Sequence, residues 1–126
     1  MPTIEHFAIY AADARRLKDF YVDTFGMTVV HEGKGDPPGF FLVDDDDLAI
    51  EIIGRPAGEP GANQRYVCHL AFWVNDYSAS RTALETQGIT FETDTAVDTD
   101  DLKTAFFNDP EGNRLQIIWR RKRLGE

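Results

Sequence analysis

Two stretches of this chain carry the same signal, and that repetition constrains the fold more than any other feature. Ile4-Glu5-His6-Phe7-Ala8-Ile9-Tyr10 aligns with Val67-Cys68-His69-Leu70-Ala71-Phe72-Trp73, so that the His, the Ala and the terminal aromatic coincide. An Asp follows at the same distance in each, Asp13 and Asp76. Phe25-Gly26-Met27-Thr28-Val29 resembles Gln87-Gly88-Ile89-Thr90-Phe91, one residue out of step. Leu48-Ala49-Ile50-Glu51-Ile52-Ile53 matches Asn113-Arg114-Leu115-Gln116-Ile117-Ile118. Two halves of about 60 residues thus present the same order of signals, which implies two copies of one supersecondary unit. The Pro/Gly stretch from Arg55 to Gly61 separates them and reads as a linker.

Each half reads as strand, helix, then three strands. In the first, a strand over about 3–10 leads to the N-cap candidate Asp13, and the helix stops before Gly26. Leu17, Phe20, Tyr21 and Phe25 fall at helical spacing and form a core stripe. Strands near 27–32, 39–43 and 48–53 follow. Asp44 to Asp47 form a solvated hairpin turn, because the run lacks the spaced ligands and glycine of a calcium loop. The second half repeats the order: strand 66–74, helix about 77–87, then strands near 89–93, 103–108 and 114–119. Asp109-Pro110-Glu111-Gly112-Asn113 supplies the last turn. The expected fold is α+β, with two tandem βαβββ modules, about 1–56 and 62–126, joined by a linker at about 55–61 into a single domain over 1–126.

Composition narrows the functional classes. The formal net charge of −9 repels phosphate backbones, so nucleic acid is not the expected partner. No run of about 18 apolar residues exists to span a membrane. The start of the chain has no basic segment followed by an apolar one, so no secretory signal is expected. Cys68 is the only cysteine, which excludes an internal disulfide and fits a cytoplasmic location. The basic tail Arg120-Arg121-Lys122-Arg123 reads as a solvated end of chain.

Strand parity separates chemistry from core. Phe7 and Ile9 oppose His6 and Ala8; Leu70 and Phe72 oppose His69 and Ala71. Ile50 and Ile52 oppose Glu51, and Leu115 and Ile117 oppose Gln116. A lone His or Glu on a strand usually has a structural or solvated role. Here His6/His69 and Glu51/Gln116 are matched pairs in repeat-equivalent places, and Glu51 between two isoleucines is costly to bury unless paired or bound to a cation. Two histidines with oxygen donors suit a divalent ion such as Zn, Ni, Co, Mn or Fe. His31 has no repeat partner and reads as a surface residue. Cys68 falls on the core side by parity. Arg114 falls on the cavity side and is a candidate for binding a substrate carboxylate, with Arg65 and the basic tail as further candidates.

The turn Asp109-Pro110-Glu111-Gly112-Asn113 followed by Leu115-Gln116-Ile117 resembles the closing hairpin of the glyoxalase/bleomycin-resistance/extradiol-dioxygenase superfamily, the vicinal oxygen chelate proteins. Ile4-Glu5-His6-Phe7-Ala8-Ile9, Phe20-Tyr21 and Phe25-Gly26-Met27 are similar to it too, so the resemblance covers nearly the whole chain. It implies paired modules curled into a curved mixed sheet around a metal, with ligands on the first and fourth strands of each. Carried over, these are His6, Glu51, His69 and Gln116. It also implies a homodimer, since many members are dimers and some share the metal site between chains. The chain departs from the pattern at Gln116, where Glu is usual; the remaining carboxylate, Glu51, lies in the other module.

Three activities are consistent with the resemblance. The first is a glyoxalase-like, metal-dependent lyase or isomerase acting on a small oxygenated molecule by enediolate chemistry, with Glu51 as the base. The second is a metal-free protein that binds an antibiotic or metabolite. The third is an extradiol-type dioxygenase, ranked last because Gln116 removes the carboxylate expected of its iron site.

Overall fold

The computed structural model describes residues 4–60 and 68–126. The chain divides into two compact units, Met1–Ala62 and Asn63–Glu126. The first contains β1 (His6–Ala11), α1 (Ala14–Phe25), β2 (Thr28–Glu32), β3 (Phe40–Val43) and β4 (Ala49–Gly54). The second contains β5 (Leu70–Trp73), α2 (Tyr77–Thr86), β6 (Val97–Asp98), β7 (Leu102–Asn108) and β8 (Arg114–Arg120). Each is a βαβββ module, as the repeat implies.

Each unit forms its own four-stranded mixed sheet, in the order β1-β4-β3-β2 and β5-β8-β7-β6. The first and fourth strands of a module lie side by side and parallel, and the remaining pairs are antiparallel. The helix provides the crossover that a parallel pair requires. This topology has a functional consequence: it makes neighbours of the two strands that carry the candidate ligands.

Local chemistry starts and stops the helices where the sequence indicates. The Asp13 carboxylate accepts from the Arg16 amide at 3.0 Å, and Asp76 accepts from Ala79 at 3.0 Å. Gly26 ends α1 at φ 65°, with its amide donating back to Tyr21 and Val22 carbonyls. Ala14, Leu17 and Tyr21 bury their face of α1, while Phe20 and Phe25 are half-buried and pack their rings against Tyr21. Ile9, Ala11, Leu42, Ile50 and Ile52 complete the core of the first unit. Ala105, Phe107, Leu115, Ile117 and Leu84 do so in the second.

The second unit differs from expectation at two places. No strand forms over 89–93; the edge strand is the two-residue β6 further on. Phe91 is nonetheless buried, against the ring of Phe107 at 5.2 Å, and the Glu92 amide donates to Phe106 O at 2.8 Å. Burial without a continuous ladder explains why an apolar, β-prone segment is not a strand here. The other difference lies at the start of β5, which begins at Leu70, so Cys68 precedes it and is exposed rather than on the core side. Residues 66 and 67 of the expected strand lie outside the described residues, as does Arg65.

No helix among the described residues is long and apolar enough to cross a membrane.

Candidate functional site

In the first unit, β1 and β4 run in register with His6 opposite Ala49 and Ala8 opposite Glu51. His6 and Glu51 therefore share a face, and their side chains meet: His6 Nε2 lies 3.4 Å from Glu51 Oε1. The other ring nitrogen, Nδ1, is 3.0 Å from Glu5 Oε1. A neutral imidazole that donates from Nδ1 to a carboxylate leaves the Nε2 lone pair pointing toward Glu51. Phe41, opposite Glu51 across β3, meets the His6 ring edge-on at 5.4 Å and 89°. His6 and Glu51 are partly open to solvent, with side chains 34% and 26% exposed, so an incoming ion or ligand has access.

The second unit reproduces this plan with different chemistry. Ala71 is opposite Gln116, and Phe106 is opposite Gln116 from the other side. His69, just before β5, meets Phe106 edge-on at 5.1 Å and 89°. Gln116 is buried and its Nε2 donates to the Thr104 hydroxyl, whose own proton goes to the Ile117 carbonyl at 2.9 Å.

Arg114 stands beside this group. Its Nε and Nη2 donate to the two carboxylate oxygens of Glu92, each at 2.9 Å, and its guanidinium carbon lies 3.8 Å from the Phe106 ring centre. Thr95 Oγ1 also donates to Glu92, at 2.7 Å. The guanidinium is thus largely buried against its own carboxylate partner and not presented alone. His31 is exposed, with its ring 6.2 Å from Phe41. In the tail, Arg121 reaches Asp101 at 2.9 Å and Arg123 lies over Trp73 at 4.4 Å.

Sequence reasoning missed Glu5, Phe41, Phe106, Thr104 and Glu92. Phe41 and Phe106 could have been found by extending the repeat to the third strand. The polar partners carry no comparable signal.

The donor set can be tested against a metal on the His6–Glu51 distance. At 3.4 Å the contact is long for a charge-assisted hydrogen bond, which favours about 2.7–2.9 Å. Two ligand atoms bonded to one tetrahedral ion at about 2.1 Å each stand about 3.4 Å apart. Imidazole nitrogen with carboxylate oxygen suits a borderline divalent cation. Among the described residues, no group of three or more His, Cys, Asp or Glu is arranged so that it could hold a metal ion. The first unit brings His6 and Glu51 together, whereas in the second His69 meets Phe106 and Gln116 is bonded to Thr104.

A family model described as the Glyoxalase/Bleomycin resistance protein/Dioxygenase superfamily matches residues 3–117. The uncharacterized protein YaeR of Escherichia coli (strain K12) is 30% identical over 125 residues, covering 90% of this chain and 93% of that protein. Among solved structures, a glyoxalase family protein from Enterococcus faecalis is 28% identical with a TM-score of 0.74, covering 93% of this chain and 97% of that one. The fosfomycin resistance protein FosX from Listeria monocytogenes, complexed with Mn(II) and sulfate, is 13% identical with a TM-score of 0.76, covering 98% of this chain and 93% of that one. At that identity, FosX bears on the fold alone.

Proposed function

The chain belongs to the glyoxalase/bleomycin resistance protein/dioxygenase superfamily, and from that premise we propose that it is a glyoxalase-like, metal-dependent lyase or isomerase acting on a small oxygenated substrate. The observation that carries this reading is the placement of His6 Nε2 3.4 Å from Glu51 Oε1, at the spacing of two ligands on one ion.

In this reading His6, Glu51, His69 and Gln116 hold a divalent cation of the Zn, Ni, Co, Mn or Fe kind. When bound, the ion supplies a Lewis acid that polarises a substrate carbonyl and makes the adjacent C–H acidic. Glu51 removes that proton through a carboxylate oxygen and returns it to the product. Gln116 has an amide and accepts no proton at neutral pH, so the chemistry runs on one base. A single mobile base favours transfer on one face of the substrate over two-base racemisation. Arg114 is the proposed contact for a substrate carboxylate, which would have to share the guanidinium with Glu92. The two units act together as one domain, in a homodimer, on a small molecule in the cytoplasm.

The test is Glu51→Gln in metal-replete protein, assayed on hemithioacetals and other α-hydroxycarbonyl compounds with bound metal quantified. A loss of turnover on the order of 100-fold with metal retained supports base catalysis by Glu51. Unchanged turnover removes Glu51 as the base. A wild-type protein that turns nothing over, yet binds a small molecule tightly without metal, is a sequestering protein instead.

A further inference from the structure

The chain carries Gln116 where the superfamily resemblance leads one to expect Glu, and the surroundings of that side chain give a physical reason. Gln116 and Thr104 are both buried, 7% and 4% exposed. They are diagonal neighbours on one face of the sheet, since Thr104 pairs with Ile118 and Phe106 with Gln116 across β7 and β8. A threonine hydroxyl has one proton to give. Thr104 gives it to the main-chain carbonyl of Ile117, at 2.9 Å. Toward Gln116 the hydroxyl oxygen therefore offers only lone pairs, and a group meeting it must bring a hydrogen. The Gln116 amide nitrogen does so.

We propose that Thr104 is a positioning residue: it fixes the Gln116 amide with nitrogen toward β7 and oxygen on the opposite arm, and thereby favours glutamine over glutamate at this place. A carboxylate has no hydrogen to present to Thr104. It would face oxygen lone pairs, or draw the Thr104 proton away from the Ile117 carbonyl. The first sets acceptor against acceptor and the second takes the hydroxyl's hydrogen bond from the Ile117 carbonyl, and either is costly in a buried place. The anchored nitrogen also settles which amide atom remains to accept. With Nε2 held by Thr104, the oxygen is the atom available to a cation or substrate. That last step rests on the metal-dependent reading above; the anchoring itself does not.

The experiment separates the two. In chelator-treated protein, folding equilibria are measured by urea denaturation for wild type, Thr104→Val, Thr104→Ser, Gln116→Met, Gln116→Glu and the Thr104→Val/Gln116→Met double variant. Thr104→Val is isosteric but cannot accept, so the folding constant should fall on the order of 10-fold. Thr104→Ser keeps the hydroxyl and should stay closer to wild type than Thr104→Val. A role in packing alone gives the reverse order and overturns the proposal. The double variant should lose less than the sum of its two single variants, because removing both partners leaves neither unpaired. Strict additivity also overturns it. Gln116→Glu should lower the folding constant on the order of 10-fold, and wild-type stability there overturns the preference for glutamine. The Gln116 side-chain amide resonances should shift in Thr104→Val and persist in Thr104→Ser; resonances unmoved by either variant overturn the anchoring. Metal titration of the wild-type protein is read separately. Coupling without metal binding sinks the metal reading and leaves the anchoring intact, whereas metal binding without coupling does the opposite.

Discussion

The guanidinium of Arg114 lies over Phe106, its central carbon 3.8 Å from the ring centre, and that ring stands at 89° to the ring of His69. Glu92, Arg114, Phe106 and His69 thus form a continuous series of contacts, from a carboxylate pair to a candidate ligand. The matching place in the first unit is Ala49, so this support belongs to the second unit's architecture and not to the repeat. Arg114 and Glu92 side chains are only 10% and 15% exposed. Removing one partner of a buried, bidentate pair takes the paired carboxylate away from a largely desolvated charge. Glu92→Ala is expected to cost about 3 kcal/mol in urea denaturation. The loss should change little with added salt, because a buried pair is weakly screened. A cost under about 0.5 kcal/mol, as for a surface pair, would show that the pairing is not structural. Arg114→Ala separates two roles. A large stability loss marks the buttress, whereas intact folding with a raised KM marks the substrate contact.

The closing turn of the second unit rests on Asp109, whose carboxylate is buried and accepts from the Glu111 amide at 2.9 Å, the Asn113 amide at 2.9 Å and the Asn113 side chain at 2.7 Å. The turn sets the register that places Arg114 and Gln116 on β8. Asp109→Ala strands these donors and should cost about 2–3 kcal/mol. In a domain of this size that lowers Tm by roughly 10 °C, readable by calorimetry. Asp109→Asn keeps an acceptor oxygen for the main-chain amides and should cost less; equal losses would place the effect elsewhere than in these bonds.

What the sequence made legible was either local or repeated. Asp13, Asp76 and Gly26 act on amides and carbonyls within a few residues, so their roles follow from position alone. His6 with His69, and Glu51 with Gln116, stood out because each had a counterpart. Thr104, Glu92 and Phe106 did not, because each acts on a residue far along the chain. Thr104 meets Gln116 only through the β7–β8 register, and Glu92 meets Arg114 only through a bend that follows α2. Register is a tertiary property that propensity does not encode. The segment 89–93 shows the converse error. Phe91 is buried by side-chain packing on Phe107, while the strand pairing forms later, at Val97 and Asp98. Parity placed Arg114 on the ligand face but gave no sign of the carboxylate waiting for it.

Glu5 offers a test of the first unit's half of the site that does not depend on identifying a substrate. Its carboxylate accepts from His6 Nδ1 at 3.0 Å, while Nε2 faces Glu51. A carboxylate on the outer nitrogen holds the ring's orientation and tautomer and makes the inner nitrogen a better donor to a cation. Such partners are worth 10- to 100-fold in metal affinity when removed, as an order of magnitude. Glu5 is 87% exposed, so water competes for the same hydrogen and the lower figure applies. Glu5→Gln is expected to weaken binding of a divalent transition ion about 10-fold, measured by competition with a chromophoric chelator. The imidazole 15N shifts of the metal-free protein should move at the same time toward a mixture of tautomers, since the amide no longer favours one of them. Raising salt to about 1 M should narrow the gap between wild type and variant, because an exposed carboxylate acts through a screened field. If the two proteins bind metal equally and show the same 15N shifts, Glu5 is a solvated neighbour and His6 takes its orientation from Phe41 and Glu51 instead.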